Sequence, residues 1–192
     1  MRSYIQNFNN HSMKRANLEH IIRAAGSIAA VKEIFIMGSQ AILAEHPEID
    51  GESDNSAIVR SLEADILIPD DYAKAETIEG ALGEDSLFHE THGFYAQAID
   101  ETTCKLPAGW RDRLVIICNE NTDGVTGFCL ETHDLMISKL YANREKDREY
   151  FKTACRLKII KKDTLLMRLD MTPDISDNVR ERIKSAINRE LK

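Results

Sequence analysis

Two acidic side chains placed two residues apart suggest a site for a divalent cation. Glu63 and Asp65 lie in the stretch SLEADILIP, which has the length and apolar composition of a β-strand. Side chains at positions i and i+2 of a strand emerge on the same face, so these carboxylates would lie close together and repel each other. Mg²⁺ offsets such repulsion, because it prefers carboxylate oxygens together with substrate phosphates. The structural alternative is an edge strand with two exposed acids.

A glycine and a serine at the end of an earlier predicted strand could bind phosphate. The segment from Val31 to Met37 is short and β-branched, and it stops at Gly38. Ser39 could cap a helix that begins with SQAILAEH, and the unpaired N–H groups at a helix start attract anions. Because glycine lets a ligand approach the backbone closely, a triphosphate would suit this junction. An ordinary turn with an N-cap is the alternative interpretation.

A charged segment further along the chain could contact the same phosphates. The stretch KLYANREKDREY places Lys139, Arg144, Lys146 and Asp147 within about two turns of a predicted helix. Lys139 and Lys146 would share a face, where they could hold triphosphate oxygens or stabilise charge as pyrophosphate leaves. Asp147 could orient one of them through an ion pair. A solvated helix with i,i+3 and i,i+4 charge pairs is the alternative.

Two other features are weaker candidates for a site. The segment HETH, at 89–92, contains two histidines but lacks the pattern of a helical zinc site, so we predict surface or turn histidines. Trp110 in LPAGWRDR is predicted to anchor a loop onto the sheet, with base stacking as the alternative.

The elements that must position these residues fall into two parts. Residues 1–130 combine helices, at about Ser12 to Ala25 and at YAKAETIEGAL, with further strands at FYAQAI, RLVIIC and VTGFCL, the last two forming a hairpin through NTDG. Residues 131–192 contain four helical segments: THDLMISKLYA, EKDREYFKTACRLK, DTLLMRLDM and SDNVRERIKSAINREL. We therefore predict an α/β (α+β) fold, with a small mixed β-sheet core and a helical C-terminal part packed on it.

Length, composition and charge narrow the class of protein. The 192 residues suit one compact domain, and 43% hydrophobic and 30% charged residues are typical of a folded protein. The chain has no apolar run long enough for a membrane span and no signal peptide at its N-terminus, so we expect a cytoplasmic protein without a membrane partner. Its four cysteines form no CxxC pair, which predicts reduced thiols.

The net charge of −7 is unevenly distributed along the chain. Residues 1–131 carry 10 Lys and Arg against 22 Asp and Glu, whereas residues 132–192 carry 15 against 10. The acidic part disfavours nonspecific nucleic-acid binding, while the basic part could bind one phosphate-rich ligand. For most of those lysines we favour the alternative, a solvated helix surface.

In this order the motifs resemble the nucleotidyltransferase superfamily, whose signature is a Gly-Ser or Gly-Gly turn followed by an acid-x-acid strand. Here these are GSQ at 38–40 and EAD at 63–65. The stretch HDLMISKLYANREKDREYF is similar to the Lys and Lys-Asp helix motif of a minimal bacterial branch, which comprises abortive-infection toxins (AbiEii type) and a related nucleotidyltransferase-like family of unknown function. LPAGWRDRLVII is similar to that family's linker into its next strand. The resemblance covers roughly residues 31–160.

The resemblance implies transfer of a nucleotide from an NTP, with two Mg²⁺ ions held by carboxylates, to an RNA acceptor such as tRNA or to a protein acceptor.

 The roles it assigns are phosphate binding, metal ligation and triphosphate contact. Phosphate binding would fall to Gly38, Ser39 and Arg144, and metal ligation to Glu63 and Asp65. Triphosphate contact would fall to Lys139 and Lys146, with Asp147 supporting the helix motif or the metal site. The toxin-like motif further implies one half of a toxin–antitoxin pair, with an antitoxin as partner and the basic C-terminal helices meeting the acceptor.

Several features depart from the family pattern. The gap between Ser39 and Glu63 is longer than usual and contains an acidic loop at 45–54, which would shield the pocket. The first acid is Glu rather than the commoner Asp, and the usual arginine after the Gly-Ser turn is missing. A third carboxylate is not obvious, and Asp100, at the end of FYAQAI, is the candidate metal ligand. The alternative function is therefore a catalytically inactive binding module that senses a nucleotide or docks a partner protein.

Overall fold

A computed structural model describes residues 12–49 and 56–192. Their strands form a five-stranded mixed sheet in the order β3-β2-β1-β5-β4. The strands are β1 (Glu33–Ile36), β2 (Glu63–Leu67), β3 (Tyr95–Ala98), β4 (Val115–Ile117) and β5 (Thr126–Cys129). The pairs β2/β3 and β1/β5 are parallel, whereas β1/β2 and β4/β5 are antiparallel. The mixed sheet that the sequence predicts is confirmed.

The helices are concentrated at the C-terminal end of the chain. In the described part of the chain, four lie before residue 131: α1 (Arg15–Ala29), α2 (Ser56–Val59), α3 (Tyr72–Leu82) and α4 (Leu87–His92). Four follow: α5 (Thr132–Ala142), α6 (Glu145–Arg156), α7 (Lys162–Asp170) and α8 (Asp177–Glu190). The α/β class and the helical C-terminal part are thus as predicted. None of the described helices is long and apolar enough to cross a membrane.

The two faces of the sheet have different surroundings. Gly127 of β5 lies so close to Ile22 of α1 that an added Cβ atom would be 2.5 Å from its Cδ1. Ala64 and Ile66 of β2 are fully buried, and the strand register places them on this same face. This face therefore carries much of the core, in which burying one Ile or Leu side chain contributes about 1.5–3 kcal/mol. The alternate residues of β2 face the other side of the sheet.

Helix α1 is longer than the sequence predicts. We expected an end near Gly26, but the helix continues to Ala29 and ends with Ala30 in the left-handed conformation, at φ 51°. Gly26 has a packing role instead, because a Cβ atom there would lie 2.5 Å from Cγ2 of Val125. The glycine therefore marks a close contact with the segment before β5 rather than a helix end.

The segment after β1 also differs from its prediction. Residues Ser39–Ala44 form a 3₁₀-helix, and Gly38 rather than Ser39 occupies the N-cap position, without a side-chain cap. The hydroxyl of Ser39 instead accepts a hydrogen bond from Lys139 on α5. A six-residue 3₁₀-helix has a weak dipole, so any anion site here depends more on side chains than on the helix.

Other elements follow local signals. Helix α3 covers the predicted segment YAKAETIEGAL: it starts after Asp71, whose carboxylate accepts the N–H of Lys74 at 3.2 Å, and it ends before Gly83. The β4/β5 hairpin is confirmed, with Asp123 and Gly124 supplying left-handed residues at its turn. Of the predicted acidic loop, residues 50–54 lie outside the described residues. In the described part, Glu45 accepts the N–H of Thr132 at 2.7 Å.

A buried ion cluster ties helix α5 to the preceding linker and to α7. Asp134 has no exposed side-chain surface and lies 2.9 Å from the Nε atoms of both Arg113 and Arg168. The linker is also joined to the end of α7 by the N–H of Ala108, which donates to the carbonyl of Met171 at 2.9 Å. These contacts fix the orientation of α5, on which part of the site lies.

Candidate functional site

A cavity of about 390 Å³ brings together the glycine turn, the acidic strand and the basic segment. It is bounded by the end of β1, by β2 and β3, by the 99–105 segment, and by α5 with the start of α6. We call it the site cavity. Its lining includes seven of the residues singled out from the sequence: Gly38, Ser39, Glu63, Asp65, Lys139, Arg144 and Lys146.

The antiparallel register of β1 and β2 explains why the glycine turn lies beside the acids. Phe35 pairs with Leu67, and the N–H of Met37 donates to the carbonyl of Asp65 at 3.0 Å. Gly38 therefore lies beside Asp65, and a Cβ atom built on it would come within 3 Å of three Asp65 side-chain atoms. The glycine thus leaves room for the carboxylate, a reason that the sequence alone does not reveal.

Glu63 and Asp65 lie on the face of β2 opposite the helix-covered core, and both line the site cavity. Burial and, second to it, the neighbouring charge of Glu63 raise the pKa of Asp65 to about 6, against the lowering effect of Lys139, Lys146 and Arg144. Glu63 lies 3.6 Å from Nζ of Lys146. Its other oxygen accepts a hydrogen bond from the hydroxyl of Tyr95 at 3.4 Å.

This pair of carboxylates fits a hard divalent cation. A cation between them would relieve both the burial and the mutual repulsion that raise the pKa of Asp65. Within residues 12–49 and 56–192, no group of three or more His, Cys, Asp and Glu side chains is placed to hold a metal ion. Any cation would therefore take its remaining ligands from a substrate, from water or from neutral oxygens.

Lys139 forms the opposite wall of the site cavity. Its Nζ atom lies 2.8 Å from Oγ of Ser39, 3.6 Å from Oδ1 of Asp147 and 4.1 Å from the centre of the Tyr150 ring. Burial lowers its pKa, while the charges of Asp147 and Asp65 act in the opposite direction. The ammonium group is thus held in a fixed place by one hydroxyl, one carboxylate and one aromatic face.

Asp147 acts beneath the site cavity rather than in its lining. It is buried, and its Oδ2 accepts hydrogen bonds from Nε of Arg144 at 2.8 Å and from the N–H of the same residue at 3.2 Å. Burial opposes ionisation, but the bonds from Arg144 and the charge of Lys139 outweigh it and keep the pKa of Asp147 below its usual value. One carboxylate thereby positions two of the cations.

The basic segment is not one continuous helix. Helix α5 ends at Ala142, Asn143 is left-handed at φ 54°, and α6 begins at Glu145. The prediction that Lys139 and Lys146 share a helix face is therefore wrong. The two side chains reach the site cavity from two different helices. The side chains of Lys146 and Arg144 are 61% and 63% exposed, so both can reorient towards a ligand.

The hydroxyl of Tyr150 joins these helices to the glycine turn. It donates to the carbonyl of Ser39 at 2.6 Å, and the side chain is buried beneath Lys139. Burial raises the pKa of Tyr150 well above its ordinary value, so the phenol stays a neutral donor. The role of Tyr150 is not evident from the sequence, because a tyrosine within a helix carries no local signal of such a contact.

Asp100 is not among the residues that line the site cavity. It is an exposed cap, whose carboxylate accepts the N–H of Thr102 at 2.7 Å at the start of a short 3₁₀-helix. Gln97 lies beside Asp65 in the parallel register of β2 and β3, and it does line the cavity. The alternation in YAQAI, with Ala96 and Ala98 buried, was the signal that could have identified Gln97.

The weaker candidates have structural roles. The segment HETH belongs to the short helix α4, in which no residue is buried, so its histidines lie at the surface as predicted. The ring of His92 lies 4.6 Å from that of His20 and 4.6 Å from that of Phe88, which indicates packing rather than metal binding. Trp110 packs edge-on to Phe35 at 6.4 Å between ring centres, as predicted for an anchor.

A mixed sheet that carries a glycine turn and an acid-x-acid strand, faced by basic helices across one cavity, is typical of the nucleotidyltransferase class. The profile of a family described as nucleotidyltransferase of unknown function (DUF6036) matches residues 16–182. The match covers most of the chain, and the chain therefore belongs to this family. The resemblance to the superfamily is confirmed, while the relation to abortive-infection toxins stays a prediction. No curated protein and no solved structure matches the chain.

Proposed function

We propose that this protein transfers a nucleotide from an NTP to a hydroxyl group of an RNA or protein acceptor, with Mg²⁺ as the metal ion. The observation that supports this function is the convergence of two carboxylates with a fixed ammonium group and two exposed cations on the site cavity. Unlike the buried cluster around Asp134, these charged groups line an open cavity, which is typical of a ligand site.

Each group has a place in the proposed reaction. Glu63 and Asp65 would hold the metal, with Gln97 as a neutral oxygen beside them. Bound Mg²⁺ would lower the cost of ionising the acceptor hydroxyl and offset charge on the leaving pyrophosphate. Lys139 and Ser39 would hold the triphosphate at a fixed point, because their side chains are already joined by a hydrogen bond.

The exposed cations would complete the binding of the triphosphate. Lys146 contacts Glu63 at 3.6 Å, so an incoming metal and phosphate would exchange this weak ion pair for two stronger contacts. Arg144 is hydrogen-bonded to Asp147, which keeps its guanidinium at the cavity. The acceptor would approach past these exposed side chains, on the side of the basic C-terminal helices. The further proposal of a toxin role with an antitoxin partner rests on the resemblance of the α5–α6 motif to that of the abortive-infection toxins.

The proposal is tested by following a labelled nucleotide. The protein is incubated with each α-³²P-labelled NTP, Mg²⁺ and total tRNA, and the label is located on RNA and protein gels. Label transfer by the wild type, lost in Glu63→Ala and Asp65→Ala, is the expected result. The function is wrong if calorimetry detects no NTP binding in the presence of Mg²⁺, or if those two variants label as well as the wild type.

A catalytically inactive binding module is the second candidate, and the position of Gln97 favours it. A neutral amide stands beside Asp65, where a third carboxylate would be expected from the family pattern. This module would bind an NTP with Mg²⁺ but transfer nothing. Calorimetric binding without any labelled product would therefore support the module over transfer to tRNA or to the protein itself.

A further inference from the structure

We propose that the uncharged part of the site cavity is a nucleoside subsite, in which a nucleobase packs on Ile99, Cys104 and Leu135, stacks on Tyr141 and meets the hydroxyl of Ser138. This inference rests on the proposed function and adds to it the residues that recognise the nucleoside. It concerns lining residues that the phosphate and metal contacts leave unused.

The lining of the cavity divides by chemistry. The charged residues around the acids contact one another: Lys139 contacts Ser39 and Asp147, Lys146 contacts Glu63, and Arg144 contacts Asp147. A metal-bound triphosphate would satisfy that part alone. The remaining wall has a different composition, with Ile99 and Leu135 buried and Lys105 already 3.6 Å from Asp174. An apolar wall in a charged cavity indicates a ligand that also has an apolar part.

Cys104 and Ser138 define the floor of this wall. Their side chains are hydrogen-bonded, which places the 99–105 segment directly against α5. Burial raises the pKa of the Cys104 thiol to about 11, so it is a neutral, soft packing group rather than a nucleophile. Ser138 precedes Lys139 on α5, and its hydroxyl can donate to or accept from a base edge.

Tyr141 supplies the aromatic surface. It lines the cavity and is 40% exposed, whereas large aromatic side chains usually bury more of their surface. Its position on the last turn of α5, three residues after Ser138, puts the two side chains on the same face of the helix, and both line the cavity. Stacking on an exposed aromatic ring accepts any base, while Ser138 adds a hydrogen bond that discriminates among them.

The experiment compares Mg²⁺ complexes of an NTP and of inorganic tripolyphosphate, which has the phosphates but no nucleoside. Calorimetry on the wild type should show at least tenfold tighter binding of one or more NTPs. Tyr141→Ala and Ser138→Ala should remove most of this preference and leave tripolyphosphate binding unchanged, while Tyr141→Phe should retain it. Tyr72→Ala is the matched control, because Tyr72 is 46% exposed at the start of α3 and lies outside the cavity lining.

The outcomes separate this inference from the function on which it rests. If the wild type binds every NTP no more tightly than tripolyphosphate, or if Tyr141→Ala and Ser138→Ala both retain the preference, the nucleoside subsite is wrong and the phosphate site stands. If the wild type binds neither ligand, the proposed function itself fails. Because Tyr141 is exposed, its replacement should not impair folding, and thermal unfolding of each variant checks this.

Discussion

The carboxylate of Asp65 occupies the space into which a side chain at Gly38 would point. A Cβ atom built on Gly38 would lie 1.5 Å from Oδ2 of Asp65. The backbone at Gly38 has φ −94°, which any residue can adopt, so the requirement for glycine is steric. The turn and the acid must therefore be considered as one unit.

Replacing Gly38 with alanine should displace Asp65 and weaken Mg²⁺ and NTP binding by at least tenfold. Calorimetry measures the binding, and circular dichroism checks the fold. Gly80→Ala is the control, because Gly80 lies in α3 with no atom within 4 Å of an added Cβ. That control should bind normally and gain up to about 1 kcal/mol of stability, since alanine favours a helix. Normal binding by Gly38→Ala would show that Asp65 does not hold the metal.

Removing Lys146 should have opposite effects on two ligands. Lys146→Ala should weaken NTP binding roughly tenfold, because a charge-assisted contact to phosphate is lost. It should tighten binding of Mg²⁺ alone, because Glu63 loses the cation 3.6 Å away. Lys152→Ala on the same helix should change neither affinity. Equal shifts of both ligands in one direction would contradict the proposed arrangement.

Asp65→Asn should stabilise the metal-free protein at neutral pH. The pKa of Asp65 is raised from 3.8 to about 6, so between these values the folded state keeps a proton that the unfolded chain loses. Wild-type stability therefore falls as the pH rises through this window, whereas the asparagine variant lacks this loss. The variant should gain about 1–3 kcal/mol above pH 6 and nothing below pH 4.

Urea unfolding in the presence of EDTA, between pH 3.5 and 8, measures this gain. Mg²⁺ should stabilise the wild type more than the variant, since only the wild type offers both carboxylates. A difference between the two proteins that does not change with pH would show that Asp65 is not the group responsible.

Gln97→Asp should tighten Mg²⁺ binding by tenfold or more, because it places a third carboxylate beside Asp65. The same change should lower the stability of the metal-free protein at neutral pH through added repulsion. Gln97→Asn, which keeps a neutral amide, is the control and should not tighten binding. Isothermal titration with MgCl₂ at pH 7.5 provides the comparison, and an unchanged affinity in Gln97→Asp would place residue 97 outside the metal site.

The sequence predicts those features of the fold that depend on neighbouring residues. The bounds of α3 follow from Asp71 and Gly83, and the common face of Glu63 and Asp65 follows from the alternation of a strand. Strand register is different, because it depends on residues distant in the chain. The sequence therefore suggested Asp100 as the third oxygen ligand, whereas the β2/β3 register places Gln97 beside Asp65.

The break between α5 and α6 could have been anticipated. Asn143 is a residue type that often ends a helix in the left-handed conformation, and Asp147 stands three residues after the N-cap Arg144. The hydrogen bond between Lys139 and Ser39 could not have been predicted from the sequence, because it joins side chains 100 residues apart. Contacts of this kind depend on tertiary packing rather than on any local pattern.

The bond from Tyr150 to the carbonyl of Ser39 has a consequence for the width of the cavity. It is a neutral contact of 2.6 Å beneath a layer of ion pairs. High salt screens the exposed ion pairs and would release an anionic ligand, but it acts little on a buried, uncharged bond. The two walls would keep their separation as the ligand leaves, so that an emptied cavity is ready for the next molecule without rearrangement of the backbone.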